Sequence, residues 1–214
     1  MTSVAVIDYG MGNLHSIAKA LQHIPTKPIV QVTSNPDEIL AADRVILPGV
    51  GAIGDCMAAL VTTKLDQAVR HVAKTKPLLG ICIGLQIMLD ESEESGSTQC
   101  LGIFPGRVQK FANGMHNNHG DLIKIPHMGW NTVSQIKHPL WNSIPDNSRF
   151  YFVHSYYANP TRPEHCAGTS AYPEKFSCAL ARDNIFAVQF HPEKSQRYGL
   201  QLLDNFIHWN GLES

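Results

Sequence analysis

Residues 43–81 read "DRVILPGVGAIGDCMAALVTTKLDQAVRHVAKTKPLLGI" and place a long amphipathic segment between two short apolar runs. The first run lies in "DRVILPG", residues 43–49, which end in a Pro-Gly turn, and the second lies in "KPLLGI", residues 76–81. Between them, residues 54–74 carry apolar side chains at helical spacing, which predicts one long helix. Two apolar strands joined by a helix of this length imply a parallel βαβ crossover.

The same alternation fills the first half of the chain, where strands and helices are predicted at residues 3–9, 13–24, 27–33 and 35–42. From about residue 100 the pattern changes to short β segments in series, and a closing helix is predicted over residues 195–212. These segments fit either antiparallel additions to the same sheet or a small second sheet. We therefore expect an α/β fold with a doubly wound, mostly parallel sheet, helices on both faces and additional antiparallel strands in the second half. We expect residues 1–214 to form a single domain.

Composition excludes several classes of partner and location. The chain has 17 basic and 18 acidic residues and no long run of either, which argues against nucleic acid and anionic membranes. The longest apolar stretch, residues 77–89, is too short to span a bilayer, and the N-terminus lacks the pattern of a signal peptide. Five cysteines without a CxxC pair argue against a disulfide framework or a zinc site. We expect a cytoplasmic protein.

The stretch "GICIGLQ", residues 80–86, places Cys82 between two glycines at a predicted strand-to-helix junction. G-x-C-x-G at such a junction is the thiol version of a nucleophile elbow, and the following helix N-terminus favours a thiolate. Gly80 and Gly84 would let backbone segments pass close to the turn. A buried core cysteine fits the same pattern, because free cysteines are often buried. The motif alone leaves both interpretations open.

The stretch "IFAVQFHPEKS", residues 185–195, supplies a candidate base. An apolar strand over residues 185–190 delivers His191 to the strand end, and a period of two puts Glu193 on the same side, where it can fix the imidazole tautomer. The plainer interpretation is a histidine at a loop end followed by a solvated glutamate. Beside an elbow cysteine, the pair matches the nucleophile–base–carboxylate arrangement of hydrolytic triads.

The loop "LPGVGAIGD", residues 47–55, follows a predicted parallel strand at the edge where α/β sheets place their sites. Such a loop can offer a backbone N–H to an oxyanion, together with the N–H of Ile83 just after the nucleophile. A plain βα turn would explain one glycine better than it explains three.

Other candidate sites fail on their spacing. The segment "GMGNLH", residues 10–15, has His15 where a dinucleotide fingerprint needs its third glycine, and no phosphate-binding loop occurs. His116, His119 and His127 flank a polar loop but match no familiar metal-ligand spacing. We predict no cofactor and no metal.

Taken as a set, "GICIGLQ", "PGVG" and "FHPE" resemble the triad-type, class I glutamine amidotransferases. Four further segments are similar to the glutaminase subunits of imidazole glycerol phosphate synthases: "DYGMGNLHS" (8–16), "PHMGWN" (126–131), "FVHSYY" (152–157) and "QFHPEKS" (189–195). The resemblance implies a flavodoxin-like fold and hydrolysis of L-glutamine to glutamate and ammonia through a γ-glutamyl thioester on Cys82. It also implies a heterodimer with a cyclase subunit, which uses the ammonia to make imidazole glycerol phosphate and aminoimidazole carboxamide ribotide in histidine biosynthesis.

The resemblance also assigns roles to individual residues. It implies that Cys82, His191 and Glu193 form the catalytic triad. It implies that the N–H groups of Val50, Gly51 and Ile83 bind the oxyanion. The residues that it implies for substrate binding are Gly49, Gln86, Ser155 and Tyr156. Those that it implies for the cyclase interface are Asn13, Trp130 and Lys194.

Two rival functions remain for the same fold. One is a thiol hydrolase that acts alone, such as a peptidase or a γ-glutamyl hydrolase, although no peptide-binding insertion is evident. The other is a non-catalytic binding subunit, which would be expected to have lost a residue of the triad.

Overall fold

The computed structural model describes residues 1–116 and 120–212, and the elements below lie within those ranges. The strands are β1 Ser3–Ile7, β2 Ile29–Thr33, β3 Arg44–Leu47, β4 Leu78–Ile81, β5 Glu91–Ser92, β6 Thr98–Gln99, β7 Gly106–Lys110, β8 His127–Gln135, β9 Ser148–His154, β10 Tyr156–Pro160, β11 Cys166–Ala171, β12 Lys175–Arg182 and β13 Ile185–Val188. The α-helices are α1 Leu14–His23, α2 Pro36–Ala41, α3 Ile53–Thr62, α4 Leu65–Thr75, α5 Ile83–Gln86 and α6 Gln196–His208.

The central sheet has the strand order β2-β1-β3-β4-β13-β12-β10-β7-β5-β6. Its first five strands pair in parallel, and β12, β10 and β7 continue it in antiparallel fashion. Helix α1 packs against α6, whereas α2 and α3 both pack against α4, as two helical layers on a doubly wound sheet require. The predicted mostly parallel α/β fold is confirmed.

The β segments of the second half join the same sheet. Strand β11 pairs with β12 and with β8, and β8 forms an antiparallel hairpin with β9. Of the two arrangements that the sequence left open, the structure therefore shows additions to one sheet.

Residues 54–74 do not form the single helix that their apolar spacing predicted. The segment divides into α3 and α4, and Lys64 between them adopts a left-handed conformation with φ of 59°. Leu60 and Leu65 are both fully buried, but five residues along one helix would put them on different faces. The break at Lys64 realigns the second helix so that its apolar face also packs on the core.

The carboxyl ends of the parallel strands gather the predicted functional segments at one edge of the sheet. Strand β3 leads into the loop 48–51, β4 leads into Cys82, and β13 leads towards His191. Since β3, β4 and β13 are neighbours in the sheet, these three segments meet. No helix in the described ranges is both long and apolar enough to cross a membrane.

Candidate active site

Cys82 occupies a sharp turn between β4 and α5. Its φ and ψ are 58° and −111°. A non-glycine residue in such a sparsely populated region costs of order 1–3 kcal/mol, and such residues cluster at functional sites. The Cys82 N–H donates to the Val188 carbonyl at 2.8 Å, which ties the turn to β13. A cysteine that only filled the core would not need this conformation.

The two glycines of the turn are required by backbone contacts. A Cβ on Gly84 would lie 1.9 Å from the Leu47 carbonyl oxygen, and a Cβ on Gly80 would lie 2.9 Å from the Gly84 carbonyl oxygen. Both distances are shorter than a carbon–oxygen contact allows, so neither position accepts a side chain without movement. Close backbone packing within the turn and against β3 therefore requires both glycines of the G-x-C-x-G motif.

His191 and Glu193 are in direct contact, with 2.9 Å between His191 Nδ1 and Glu193 Oε1. Their side chains are only 5% and 1% exposed. The geometry behind this contact differs from the one we predicted. Strand β13 ends at Val188, and residues 192–194 form a 3-10 turn, so the turn and not a strand period of two brings the side chains together. Pro192 starts that turn, since proline suits the first position of a helix.

The imidazole orientation follows from this contact. An ionised Glu193 carboxylate can only accept a hydrogen bond, so His191 Nδ1 carries the proton of this contact and Nε2 is left for Cys82. Burial lowers the pKa of His191, but hydrogen bonds and charge interactions with Cys82 and Glu193 outweigh it and raise the pKa to about 10. The contacts of the site therefore favour the protonated form of His191.

Cys56 shows how an unreactive cysteine differs from Cys82 in this fold. It lies in α3 with no exposed surface, and burial raises the pKa of its thiol to about 11. Its sulfur donates to the Val50 carbonyl at 3.5 Å. Cys56 therefore acts as a small packing residue that also contacts the neighbouring loop.

The loop 48–51 is fixed from beneath by two of its carbonyl groups. The Tyr9 hydroxyl donates to the Pro48 carbonyl at 2.6 Å, and the Val50 carbonyl accepts from Cys56. Gly51 has a φ of +96°, which favours glycine at that position. Among the described residues, the N–H groups of Val50, Gly51 and Ile83 donate to no protein acceptor, so they are free to bind an anion.

A cavity of about 310 Å³ opens beside the Cys82 sulfur. The predicted residues that line it are Val50, Gly51, Cys82, Ile83, Gln86, Ser155, Tyr156, His191 and Lys194. Glu193 lies behind His191 and outside this lining. Gly49 also lies outside this lining. It is closely packed, since a Cβ on Gly49 would lie 2.7 Å from Ile83 Cβ and 2.8 Å from the Tyr9 hydroxyl oxygen.

Gln86 lines this cavity, and only the nitrogen end of its side-chain amide is hydrogen-bonded within the protein. Its Nε2 donates to the Tyr156 carbonyl and to Gln189 Oε1, both at 2.9 Å. Its Oε1 is buried and has no partner among the described residues. A buried acceptor without a partner is costly unless a ligand satisfies it, which suits a residue that binds substrate.

Three residues that contribute to the site were missed by the sequence interpretation. The buried Gln189 places its Nε2 3.8 Å from the Cys82 sulfur, Glu94 accepts from the Ile53 N–H at 2.9 Å, and His154 lines the cavity. Gln189 carried a usable signal, because it is the one polar residue in the apolar run 185–190. Glu94 and His154 carried none, because only the folded chain brings them to the cavity.

The residues predicted for the cyclase interface occupy separate positions around this edge. Lys194 is exposed and lines the cavity, Trp130 is 37% exposed on β8, and Asn13 is the N-cap residue of α1. The Trp130 ring meets the Tyr151 ring edge-on, with 6.0 Å between centroids. Contact of these residues with a cyclase stays a prediction.

The described part of the chain contains no group of three or more His, Cys, Asp or Glu residues that could hold a metal ion. Of the histidines considered for that role, His119 lies outside the described residues. A larger cavity, of about 890 Å³, lies between the segment 135–143 and the end of α6. It contains none of the predicted catalytic residues.

Comparison with known proteins adds an independent observation. Residues 5–209 match the sequence profile described as "Glutamine amidotransferase class-I". The chain belongs to the class I glutamine amidotransferases. The elbow cysteine, the His–Glu pair and the glycine loop are thus found in a chain of this family.

Close relatives of this amidotransferase carry a more specific name. The chain is 61% identical, over 98% of its length and 97% of the relative's, to the imidazole glycerol phosphate synthase subunit HisH of Methylococcus capsulatus. It is 58% identical to the protein of the same name from Nitrosococcus oceani, over 99% of this chain and 100% of that protein.

Solved structures share the amidotransferase fold at low identity. PurLQS from Thermotoga maritima matches with a TM-score of 0.72 and 16% identity, over 97% of this chain and 98% of that one. A glutamine amidotransferase from the same organism matches with a TM-score of 0.61 and 16% identity, over 96% of this chain and 82% of that one.

Proposed function

We propose that this chain is the glutaminase subunit of an imidazole glycerol phosphate synthase. It hydrolyses L-glutamine and supplies ammonia to a cyclase subunit in a heterodimer. The observation that carries the proposal is 61% identity, over nearly the whole of both chains, to a relative with the name imidazole glycerol phosphate synthase subunit HisH. The contact between His191 and Glu193 beside the elbow cysteine supports it, since a lost triad would have indicated a non-catalytic subunit.

The geometry supports the following reaction sequence. The Cys82 thiolate attacks the side-chain amide carbon of glutamine, and the negative charge that develops on the amide oxygen is bound by the N–H groups of Ile83 and of the Val50–Gly51 loop. The imidazolium of His191 then gives its Nε2 proton to the departing nitrogen, so ammonia leaves and a γ-glutamyl thioester remains.

The second half of the reaction uses the same residues. Neutral His191 takes a proton from a water molecule, which attacks the thioester carbon and releases glutamate and the Cys82 thiolate. Glu193 holds the His191 ring in one orientation throughout and stabilises its charged form. We assign the holding of glutamine to Gln86, Ser155 and Tyr156, which line the cavity, and to Gly49 in the loop 48–51.

The remaining assignments follow from this function. We take residues 1–214 as one glutaminase domain and assign Asn13, Trp130 and Lys194 to the cyclase interface. The protein needs no cofactor of its own for this chemistry. All five cysteines are free thiols, which supports a reducing, cytoplasmic location.

Reconstitution with the cyclase partner tests the proposal. The complex, given glutamine and the phosphoribulosyl substrate of the cyclase, is expected to release glutamate and imidazole glycerol phosphate. The Cys82→Ala variant is expected to lose both with glutamine but to form imidazole glycerol phosphate when ammonium salt replaces glutamine, which shows that the variant folds and assembles. Rapid hydrolysis of peptides or polyglutamates by the chain alone, without glutamine-dependent synthesis in the complex, would favour a stand-alone thiol hydrolase instead.

A further inference from the structure

The carbonyl oxygen of Tyr156 is a fixed reference point for the hydrogen bonds of the site. It accepts from Gln86 Nε2 at 2.9 Å and lies 2.8 Å from His154 Nδ1. A backbone carbonyl can only accept hydrogen bonds. The Gln86 atom that faces it must therefore be the amide nitrogen, which removes the ambiguity that usually attends a glutamine side chain.

This reference point also fixes the direction of the next amide. Gln86 Nε2 lies 2.9 Å from Gln189, so Gln189 must present its oxygen to Gln86. The nitrogen of the same amide then faces the Cys82 sulfur at a distance of 3.8 Å. The chain of contacts from Tyr156 thus ends in an N–H group directed at the nucleophile.

The backbone holds Gln189 firmly in this place. Its N–H donates to the Cys178 carbonyl at 2.8 Å, and the preceding residue, Val188, accepts the Cys82 N–H at 2.8 Å. The Gln189 side chain has no exposed surface, and the residues before and after it in the sequence are apolar and also buried. A buried amide is costly unless both its ends are hydrogen-bonded, and here the donor end points at the sulfur.

We propose that Gln189 is a positioning residue of the glutaminase site, which donates a hydrogen bond to the Cys82 thiolate and directs the sulfur lone pair into the substrate cavity. The thiolate then has two donors, the imidazolium of His191 and the amide of Gln189. A hydrogen bond to a charged group is stronger than one between neutral groups, so the amide favours the thiolate over the thiol. This role deepens the proposed function, but the reactivity that it predicts can be measured without glutamine.

The test measures the rate at which iodoacetamide alkylates Cys82 as a function of pH, by mass spectrometry of the peptide that contains Cys82. The variants are Gln189→Leu, which keeps the approximate size and removes the donor, and Gln189→Glu, which turns an acceptor towards the sulfur. Gln201→Leu in α6, whose amide donates to Asn205 in the same helix, serves as the matched control. Circular dichroism and urea unfolding verify that each variant is folded.

The expected result is an upward shift of the pH midpoint of alkylation by about 1 unit in Gln189→Leu and by more in Gln189→Glu, with the control unchanged. At a pH below both midpoints the alkylation rate of the leucine variant is then about tenfold lower. In the complex, kcat for glutamine hydrolysis is expected to fall by more than KM rises. A midpoint in folded Gln189→Leu that equals that of the unsubstituted protein would overturn the proposal.

A second measurement keeps the proposal testable if the variants do not fold. In the unsubstituted protein, the side-chain amide NMR signal of one glutamine is expected to shift across the pH range in which Cys82 becomes reactive, and this shift is expected to vanish in Cys82→Ala. No pH-dependent glutamine amide signal would count against the hydrogen bond. Because alkylation needs no glutamine, a midpoint shift without glutaminase activity would retain this inference and reject the proposed function.

Discussion

Replacing Glu193 by glutamine removes one charge from the site and keeps the shape of the side chain. The wild-type contact to His191 Nδ1 is 2.9 Å long, and both side chains are almost fully buried. Glu193 Oε2 has no partner among the described residues, so the new amide nitrogen breaks no hydrogen bond but is itself buried without an acceptor, at a cost of about 1–3 kcal/mol. Circular dichroism verifies that the variant is folded.

The size of the effect follows from the loss of an opposite charge beside the imidazolium. Such a charge within hydrogen-bond distance shifts a pKa by about 1–3 units, and each unit is worth about 1.4 kcal/mol. The pKa of His191, now about 10, is expected to fall by that amount in Glu193→Gln. Because Glu193 orients the His191 ring and stabilises its charged form during the reaction, the loss of this charge is expected to lower kcat by roughly 10- to 1000-fold.

Steady-state glutamate release by the reconstituted complex measures this effect. KM for glutamine is expected to change by less than about threefold, because Glu193 does not line the substrate cavity. Glu164→Gln, which removes an exposed carboxylate elsewhere, is the matched control and should leave both parameters unchanged. A kcat in Glu193→Gln within about twofold of the unsubstituted enzyme would refute the orienting and charge-stabilising role.

Two further predictions concern the fold around the site. Gly84→Ala places a Cβ 1.9 Å from the Leu47 carbonyl oxygen and is expected to lower the free energy of unfolding by about 1–3 kcal/mol or more. The control variant Gly54→Ala, whose Cβ would have its nearest neighbour at 3.6 Å, is expected to be tolerated, and equal stabilities of the two variants in urea titrations would contradict this. Burial lowers the pKa of three neutral histidines from 6.5 to about 4, 4 and 3, namely those of His127, His138 and His154. The unfolded chain therefore binds more protons than the folded one below about pH 6.5, and stability is expected to fall as the pH drops from there towards 4, by up to about 4 kcal/mol per pH unit. A free energy of unfolding that is the same at pH 7 and pH 5 would contradict this assignment.

The sequence predicts those parts of the fold that depend on local pattern. The strands of the parallel half are short runs rich in apolar residues, and the helices between them imply that they are parallel, so the class of fold around Cys82 could be predicted but the strand order could not. The division of residues 54–74 into two helices could not be predicted, because the left-handed conformation of Lys64 serves to bring Leu65 into the core, which the local pattern does not report.

The candidate site shows the same division. His191 and Glu193 are close in sequence, so their pairing could be predicted even though the 3-10 turn that produces it was not. Gln189 contacts residues more than 100 positions earlier in the chain, and no local pattern reports such a contact. Its one local signal is a polar residue within an apolar run, and that signal does not show that the amide contacts Gln86 and Cys82.

The most direct test of the central claim is to trap the covalent intermediate. The reconstituted complex would be mixed with isotopically labelled glutamine, quenched in acid during steady-state turnover and digested for peptide mass spectrometry. We predict a γ-glutamyl label on the peptide that contains Cys82, removable by hydroxylamine and absent from Cys82→Ala. Label on the Cys56 peptide instead, or undiminished glutamate release by Cys82→Ala, would contradict the account.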